Sequence, residues 1–247
     1  MKLTFLGTGD VRQVPVFGCN CSACAAARSN TDLRRRPCSA LLEFAGNKLL
    51  LDGGITDLAE RLQPGELTAI MLTHYHVDHV QGLFHLRWGL GEKIPVYGPE
   101  DNTGCADLVK HPGILDFQTP LQAFSSFYIG PLKITPLPLQ HSKPTFGYLL
   151  EYNGRQFAYL TDTVGLPKAT TRFLQDYQQL ELIIDCSEPP QPDPPRNHND
   201  LNLVIEIYNQ LQPKTIWLTH LSHKMDEWLL WNKLPEGFVV ARDNLAI

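Results

Sequence analysis

The sequence predicts a mixed α/β (α+β) fold in which helices cover the outer faces of two packed sheets. Strand and helix patterns alternate along two halves of the chain, as that layered arrangement requires. Two segments have the pattern of β-hairpins, 41–51 with a Gly46-Asn47 turn and 147–160 with an Asn153-Gly154 turn. The 247 residues, 43% hydrophobic and 19% charged, suit one globular domain, 1–247, with a substantial core.

Helices are predicted between these strands. Pro167 favours the first turn of one helix, and Asn199 or Asp200 is a good N-cap for another. The predicted helices are 55–62, 80–88, 167–177, 199–211 and 226–231. The sequence shows no targeting signal and no run of 18 apolar residues, so we expect a cytoplasmic protein without a membrane partner.

A dense group of metal-binding side chains follows the apolar segment 69–72, which is predicted to be a buried strand. Three of the nine histidines of the chain and one aspartate fall within six residues: His74, His76, Asp78 and His79. If the strand ends at Thr73 and the chain turns into a helix, Asp78 and His79 can approach the same point. The segment therefore predicts a metal site that needs further ligands from elsewhere in the chain.

The motif His74-x-His76-x-Asp78-His79 resembles the signature of the metallo-β-lactamase superfamily, whose fold is a four-layer αββα sandwich and whose hydrolases usually carry two metals. Three further ligands of that family match residues that each follow a predicted strand: His141, Asp162 and His220. By this resemblance, His74, His76 and His141 hold one metal. Asp78, His79 and His220 hold the other, and Asp162 bridges the two.

The donor set suits divalent ions such as zinc or manganese, and its lack of cysteine argues against an iron–sulfur centre. Members of the superfamily that reduce oxygen carry glutamate at the position of His76. Hydrolysis is therefore the expected reaction.

A second candidate metal site lies near the amino terminus, in a zinc knuckle at about 18–25. Cys19, Cys21 and Cys24 fit around one tetrahedral zinc ion, and His223 is the candidate for the fourth ligand. Because His223 lies three residues after His220, a zinc ion here would hold the loop that positions a catalytic ligand. The tight spacing disfavours disulfides, and incidental thiols are the remaining alternative.

The combination of the knuckle with the His/Asp set resembles PhnP-type phosphodiesterases, which act in bacterial phosphonate degradation by the carbon–phosphorus lyase route. The likeness covers nearly the full length and includes Gly7-Thr8-Gly9, Arg36-Pro37-Cys38-Ser39, His141-Ser142-Lys143 and Asp185-Cys186-Ser187. It implies a small-molecule substrate, 5-phospho-α-D-ribosyl 1,2-cyclic phosphate, hydrolysed to ribose 1,5-bisphosphate. It also implies side activity on 2′,3′-cyclic nucleotides, and a homodimer.

The same resemblance gives a role to His198, next to the Pro-rich loop 189–195. The departing ribose oxygen needs a proton or a metal, and His198 is the expected proton donor or substrate contact. An exposed loop histidine without a function is the alternative. Asp78 and His198 are the predicted catalytic residues.

Two alternative functions belong to the same fold. A transfer-RNA 3′-processing nuclease shares the seven metal ligands but typically carries a long RNA-binding arm, and only a short segment follows Asp162 before the next predicted strand. The pyrroloquinoline-quinone biosynthesis protein B group has a similar knuckle but altered metal ligands. The net charge of −5, with Arg34-Arg35-Arg36 expected to form a solvated loop, argues against a stable nucleic-acid complex.

Overall fold

The computed structural model describes residues 1–193 and 195–247; Pro194, in the Pro-rich loop, lies outside the described residues. Two sheets form its centre. The first sheet contains, in spatial order, β1 (Lys2–Gly7), β2 (Ser39–Phe44), β3 (Asn47–Leu51), β4 (Ala69–Met71), β5 (Ile94–Tyr97) and β6 (Leu115–Phe117). The second contains β7 (Phe127–Ile129), β8 (Leu132–Pro138), β9 (Phe146–Tyr152), β10 (Arg155–Leu160), β11 (Leu180–Asp185), β12 (Thr215–Thr219) and β13 (Phe238–Val240), also in sequential order.

Each sheet is antiparallel at one side and parallel at the other. Strands β3 to β6 pair in parallel, and so do β10 to β13. Parallel neighbours place their carboxyl ends at one edge of the sheet, where ligand sites of α/β proteins form. The loops that follow these strands are therefore brought together.

Helices cover the outer face of each sheet. They are α1 (Ser22–Ser29), α2 (Leu58–Arg61), α3 (Val77–Val80), α4 (Leu83–Leu86), α5 (Ala106–Lys110), α6 (Lys168–Leu174), α7 (Leu201–Leu211) and α8 (His223–Leu229). One apolar cluster lies between the sheets, with Leu42 and Met71 from one and Tyr148 and Phe157 from the other. Two further clusters join α2 to α5 to the first sheet and α6 to α8 to the second. The predicted four-layer αββα sandwich is confirmed.

The second hairpin agrees with the prediction, since Asn153 and Gly154 form its turn with positive φ. The predicted turn of the first hairpin is wrong by one residue. Ala45 and Gly46 form it with φ values of 45° and 79°, and Asn47 begins β3. Positive φ at both central positions matches the right-handed twist of the flanking strands.

The predicted helix 80–88 is wrong as a single element, because the structure has α3 and α4 in its place. The break lies at Gly82, whose backbone N–H donates to Gly53 O at 2.8 Å instead of to the carbonyl one turn back. A Cβ at Gly82 would lie 1.9 Å from Ile55 O, so only glycine allows this close approach. The helical layer is thus fastened to the loop that follows β3.

The other predicted helices form with shifted ends. Helix α7 begins after Asp200, whose side chain accepts a hydrogen bond from Leu203 N, as its capping role requires. Helix α8 begins three residues before the predicted start, because Ser222 provides the N-cap by accepting from Met225 N. None of the helices in the described ranges is long and apolar enough to cross a bilayer.

The expectation of a solvated loop at Arg34-Arg35-Arg36 is wrong for Arg35. Its side chain is 3% exposed and its guanidinium donates to both carboxylate oxygens of Asp226, at 2.7 and 2.8 Å. Arg36 pairs with Asp57 and Asp243. This basic run fastens the segment before β2 to α8 and to the carboxyl-terminal segment, so it is part of the internal framework.

Candidate metal centre

The predicted metal ligands come from both sheets and meet where strands end. The first sheet contributes the stretch after β4, in which Thr73 ends the extended chain and α3 begins at Val77. The second sheet contributes one ligand after each of β8, β10 and β12. The structure brings all seven into two adjoining groups that share one residue: His74, His76, Asp78, His79, His141, Asp162 and His220.

The first group consists of three imidazoles and one carboxylate. His76 Nδ1 lies 2.8 Å from His74 Nε2 and 3.0 Å from His141 Nε2. Asp162 Oδ2 lies 3.5 Å from His74 Nε2 and 3.6 Å from His141 Nε2. Four donor atoms therefore surround a common point, which is the arrangement expected for the first metal position.

The second group shares Asp162 with the first. His220 Nε2 lies 3.4 Å from Asp78 Oδ2 and 3.3 Å from Asp162 Oδ1. His79 Nε2 lies 3.6 Å from Asp78 Oδ2 and 3.4 Å from Asp162 Oδ2. Asp162 thus lies between the two positions, as a bridging carboxylate must.

Two buried polar atoms of these groups fit divalent cations. His79 Nε2 and Asp162 Oδ1 make no hydrogen bond to any residue that the structure describes. Both side chains are almost fully buried, and an unpaired polar atom in such a position is costly. A cation within the second group would satisfy both atoms, and nitrogen with carboxylate oxygen is a donor set that zinc and manganese accept.

The outer nitrogens of His74 and His79 are held by one buried aspartate, Asp52. His79 Nδ1 donates to Asp52 Oδ2 at 2.9 Å. His74 Nδ1 donates to Thr73 Oγ1 at 3.1 Å, and this hydroxyl donates in turn to Asp52. With both Nδ1 atoms protonated, the two Nε2 atoms carry the lone pairs that a metal needs.

His141 and His220 are oriented in the same way by other partners. His141 Nδ1 donates to the backbone oxygen of Asn197 at 3.0 Å. His220 Nδ1 donates to Ser187 Oγ at 3.0 Å, and that hydroxyl donates to His220 O at 2.7 Å. The Nε2 atom of each ring therefore faces the shared centre as an acceptor.

The backbone at the strand ends has an uncommon conformation. Asp162 and His220 have φ values of 64° and 54°, and Asp52 has 56°. Non-glycine residues with positive φ cost on the order of 1–3 kcal/mol each and cluster at functional sites. Here the reversal comes directly after a strand and turns each side chain toward the centre.

Burial and neighbouring charges shift the pKa values of the side chains in the centre. Burial lowers the pKa of His74 well below its ordinary value and lowers that of His141 to about 4. Burial acts in the same direction on His220, but Asp162 and Asp78 outweigh it and raise the pKa of His220 to about 9. For Asp78, burial alone would raise the pKa, yet the neighbouring imidazoles lower it to about 2. The Asp78 and Asp162 carboxylates therefore favour positive charge in the centre, which an imidazolium or a metal ion can supply.

His198 lies beside both groups, and a buried aspartate holds it. Its Nδ1 lies 3.0 Å from Asp185 Oδ2, and Asn199 Nδ2 donates to the other oxygen of that carboxylate at 2.9 Å. The His198 ring stacks on His220 with 4.8 Å between ring centroids. His198 also lines an open cavity of about 360 Å³ over the centre, together with Val11, Val77, Ser142 and Asn197.

The predicted knuckle residues also come together. Cys19 Sγ and Cys21 Sγ each lie 3.4 Å from His223 Nδ1, and Cys24 completes a group of four possible ligands. All three thiols are free. Cys24 belongs to α1 and His223 begins α8, so this group joins two helices that pack against each other.

A family model described as a beta-lactamase superfamily domain matches residues 47–221 of the chain. The chain belongs to the beta-lactamase superfamily. Among solved structures, this superfamily member is similar to a protein described as a new diphosphatase from the PhnP family. The TM-score is 0.84 at 27% identity, with 100% of this chain and 96% of that chain covered.

Two curated relatives of this superfamily member have different names. An octanoyltransferase of Porphyromonas gingivalis is 26% identical over 246 residues, which cover 90% of this chain and 46% of the relative. A ribonuclease Z of Methanopyrus kandleri is 30% identical over 119 residues, which cover 45% of this chain and 42% of the relative. The chain spans less than half the length of both, so no particular substrate follows from these relatives.

Sequence reasoning missed the residues that hold the ligands. Asp52 directly follows β3 and Asp185 ends β11, so both are carboxylates at the end of an apolar strand, as Asp162 is at the end of β10. The resemblance identified Asp162, and a strand-end position alone is too common to have identified the other two. Ser187 and the backbone oxygen of Asn197 carry no comparable signal, because their role depends on contacts between distant segments.

Proposed function

We propose that this superfamily member is a metal-dependent cyclic phosphodiesterase, with 5-phospho-α-D-ribosyl 1,2-cyclic phosphate as its substrate. The observation that carries the proposal is the convergence of seven His and Asp ligands, in two groups joined by Asp162, beneath one cavity. The overall similarity to a PhnP-family diphosphatase supports it. Action as a cytoplasmic homodimer in phosphonate degradation is part of the same proposal.

The roles of the residues follow from their positions. The side chains of the first group hold one divalent ion and those of the second group hold another, with zinc and manganese as the candidates. When bound, such ions activate water for attack on phosphorus and stabilise charge on the phosphoryl oxygens. Asp78 and Asp162 are the anionic ligands that keep the positions charged and close together.

His198 is the proposed proton donor to the leaving oxygen. Because Nδ1 faces Asp185 at 3.0 Å, Nε2 is the nitrogen available to carry that proton. The Asp185 carboxylate accepts the hydrogen bond from Nδ1 and so fixes the ring orientation. Stacking on His220 keeps the ring at the edge of the second group, beside Asp162 at 4.0 Å.

The surroundings of the centre favour a small substrate. A cavity of about 360 Å³ lies at the small end of the usual range for small-molecule sites. Between Asp162 and β11 the chain forms only helix α6, of seven residues, which packs near α7 and β8. This short segment supports a small cyclic diester over the transfer-RNA alternative.

Phosphorus NMR of the metal-loaded protein with the cyclic substrate tests the proposal. We expect conversion to ribose 1,5-bisphosphate, and we expect a chelator to abolish it. The rival function predicts cleavage of precursor transfer RNA instead, so both substrates are offered to one preparation of known metal content. An absence of phosphodiester hydrolysis with both metal positions filled would refute the proposal.

We further propose that the knuckle binds a structural zinc ion. Cys21→Ser is expected to remove one zinc per chain, measured by elemental analysis, and to reduce activity indirectly through the loop from His220 to His223. Cys38→Ser, which changes a thiol outside the knuckle that contacts the Tyr159 hydroxyl, is the matched control and should keep the wild-type zinc content. Equal zinc content in the two variants would contradict the assignment.

A further inference from the structure

An ion pair outside the ligand groups joins two loops beside the first metal position. Lys143 Nζ lies 2.9 Å from Asp101 Oδ2, with Thr103 Oγ1 at 3.5 Å. The Asp101 side chain is 3% exposed and that of Lys143 is 21% exposed. Such a pair differs from the fully solvated pairs of protein surfaces, which contribute little.

The aspartate of this pair is rigidly held. Its Oδ1 accepts hydrogen bonds from the backbone and hydroxyl of Thr103 and from Gly104 N, each at 2.9 Å. Burial by itself would raise the pKa of Asp101, but the hydrogen bonds from Lys143 and Thr103 lower it to about 2. The carboxylate is therefore a fixed anion, and Oδ2 is directed at Lys143.

Each side of the pair is close to a ligand-bearing segment. Lys143 lies two residues after His141, and the intervening Ser142 has its Oγ 3.5 Å from His76 Nε2. On the other side, the loop with Asp101 continues to Cys105, whose thiol donates to Tyr75 O at 3.5 Å. Tyr75 is the residue between His74 and His76.

From this geometry we infer that Lys143 is a positioning residue for the first metal position. Its ion pair with Asp101 joins the segment that carries His141 to the segment that carries His74 and His76, and so keeps their donor atoms at a common point. The inference rests on the metal centre proposed above. It does not depend on which diester is the substrate.

The test is a manganese titration of the metal-free protein, followed by electron paramagnetic resonance. Manganese suits the His/Asp positions, whereas the thiol-rich knuckle disfavours it. We expect Lys143→Met to weaken one of the two manganese sites about 10- to 100-fold, the range known for residues that orient metal ligands. The other site should keep its affinity, and Lys143→Arg should restore the first.

The matched control is Lys133→Met, because Lys133 Nζ lies 2.9 Å from Glu151 in a pair that touches neither ligand group. This variant should keep both affinities. Unchanged manganese binding in Lys143→Met would overturn the inference, and so would equal weakening of both sites. A raised KM with unchanged metal binding would overturn it in favour of substrate contact. Wild-type protein that binds neither manganese nor zinc at the His/Asp positions would instead refute the proposed centre itself.

Discussion

Asp162→Asn is expected to remove both catalytic metals and to lower hydrolysis by at least about 10³-fold, since two-metal activation of water and phosphate is lost together. The reason is the position of this carboxylate, whose Oδ2 faces histidines of both groups and whose Oδ1 faces His220 of the second group. Asparagine tolerates the positive φ of residue 162 as aspartate does, so the backbone turn is expected to remain. Metal content after dialysis and turnover of the cyclic substrate are the two measurements.

Asp176→Asn is the control for that experiment, because it makes the same chemical change on an exposed side chain beyond α6. It should bind both metals and turn over at the wild-type rate. If Asp162→Asn kept two metals and nearly full activity, a bridging role for this residue would be wrong. Thermal unfolding of the metal-free forms of Asp162→Asn and wild-type protein is compared as well. If the two profiles match, the loss of activity arises at the centre and is not due to misfolding.

His198→Ala is expected to lower turnover of the cyclic ribosyl phosphate about 10²- to 10⁴-fold, the usual contribution of a general acid, while both metals stay bound. The size of the rate loss should depend on the leaving group if His198 donates a proton, and this dependence distinguishes proton donation from substrate binding. A p-nitrophenolate leaves without a proton, so bis(p-nitrophenyl) phosphate should lose much less activity in the same variant. Steady-state rates with the two substrates provide the comparison.

Two further variants test the proposed role of His198 as a proton donor. Asp185→Asn should show the same pattern in weaker form, because it keeps the His198 ring in place but removes the charge beside Nδ1. His111→Ala is the control, because His111 is exposed and lies far from His198 in the sequence. This variant should turn over both substrates at the wild-type rate. An equal loss on both substrates in His198→Ala would argue for substrate binding and against proton donation.

The fold and the ligands could be predicted because strand ends are visible in a sequence. Asp162 and His220 follow β10 and β12, which belong to one run of parallel strands, so their ends meet at one edge of the sheet. His141 comes after β8, which runs in the same direction as β10 because both pair antiparallel with β9. His223 could be predicted for a different reason, its closeness to His220 along the chain. In these cases local pattern and tertiary position coincide.

What could not be predicted depends on contacts between distant segments. Arg35 is buried because Asp226, far along the chain, receives its guanidinium. The helix expected across Gly82 is divided because a carbonyl from the loop after β3 accepts its N–H. The Lys143–Asp101 pair belongs to the same class. The sequence contains no periodic pattern and no local composition from which such contacts could be predicted.

The division of ligands between the two sheets has a consequence for the stability of the fold. Neither sheet alone supplies all the donors of either His/Asp group described above, because each of the two groups combines donors that follow β4 with donors that follow strands of the second sheet. A metal ion at either proposed position would therefore bind only the packed sandwich and would shift the folding equilibrium toward it by mass action. Each ion would connect the two sheets for as long as it stays bound. When metal is scarce we expect the layers to separate more often, so that the chain is cleaved more readily by proteases than the metal-loaded protein.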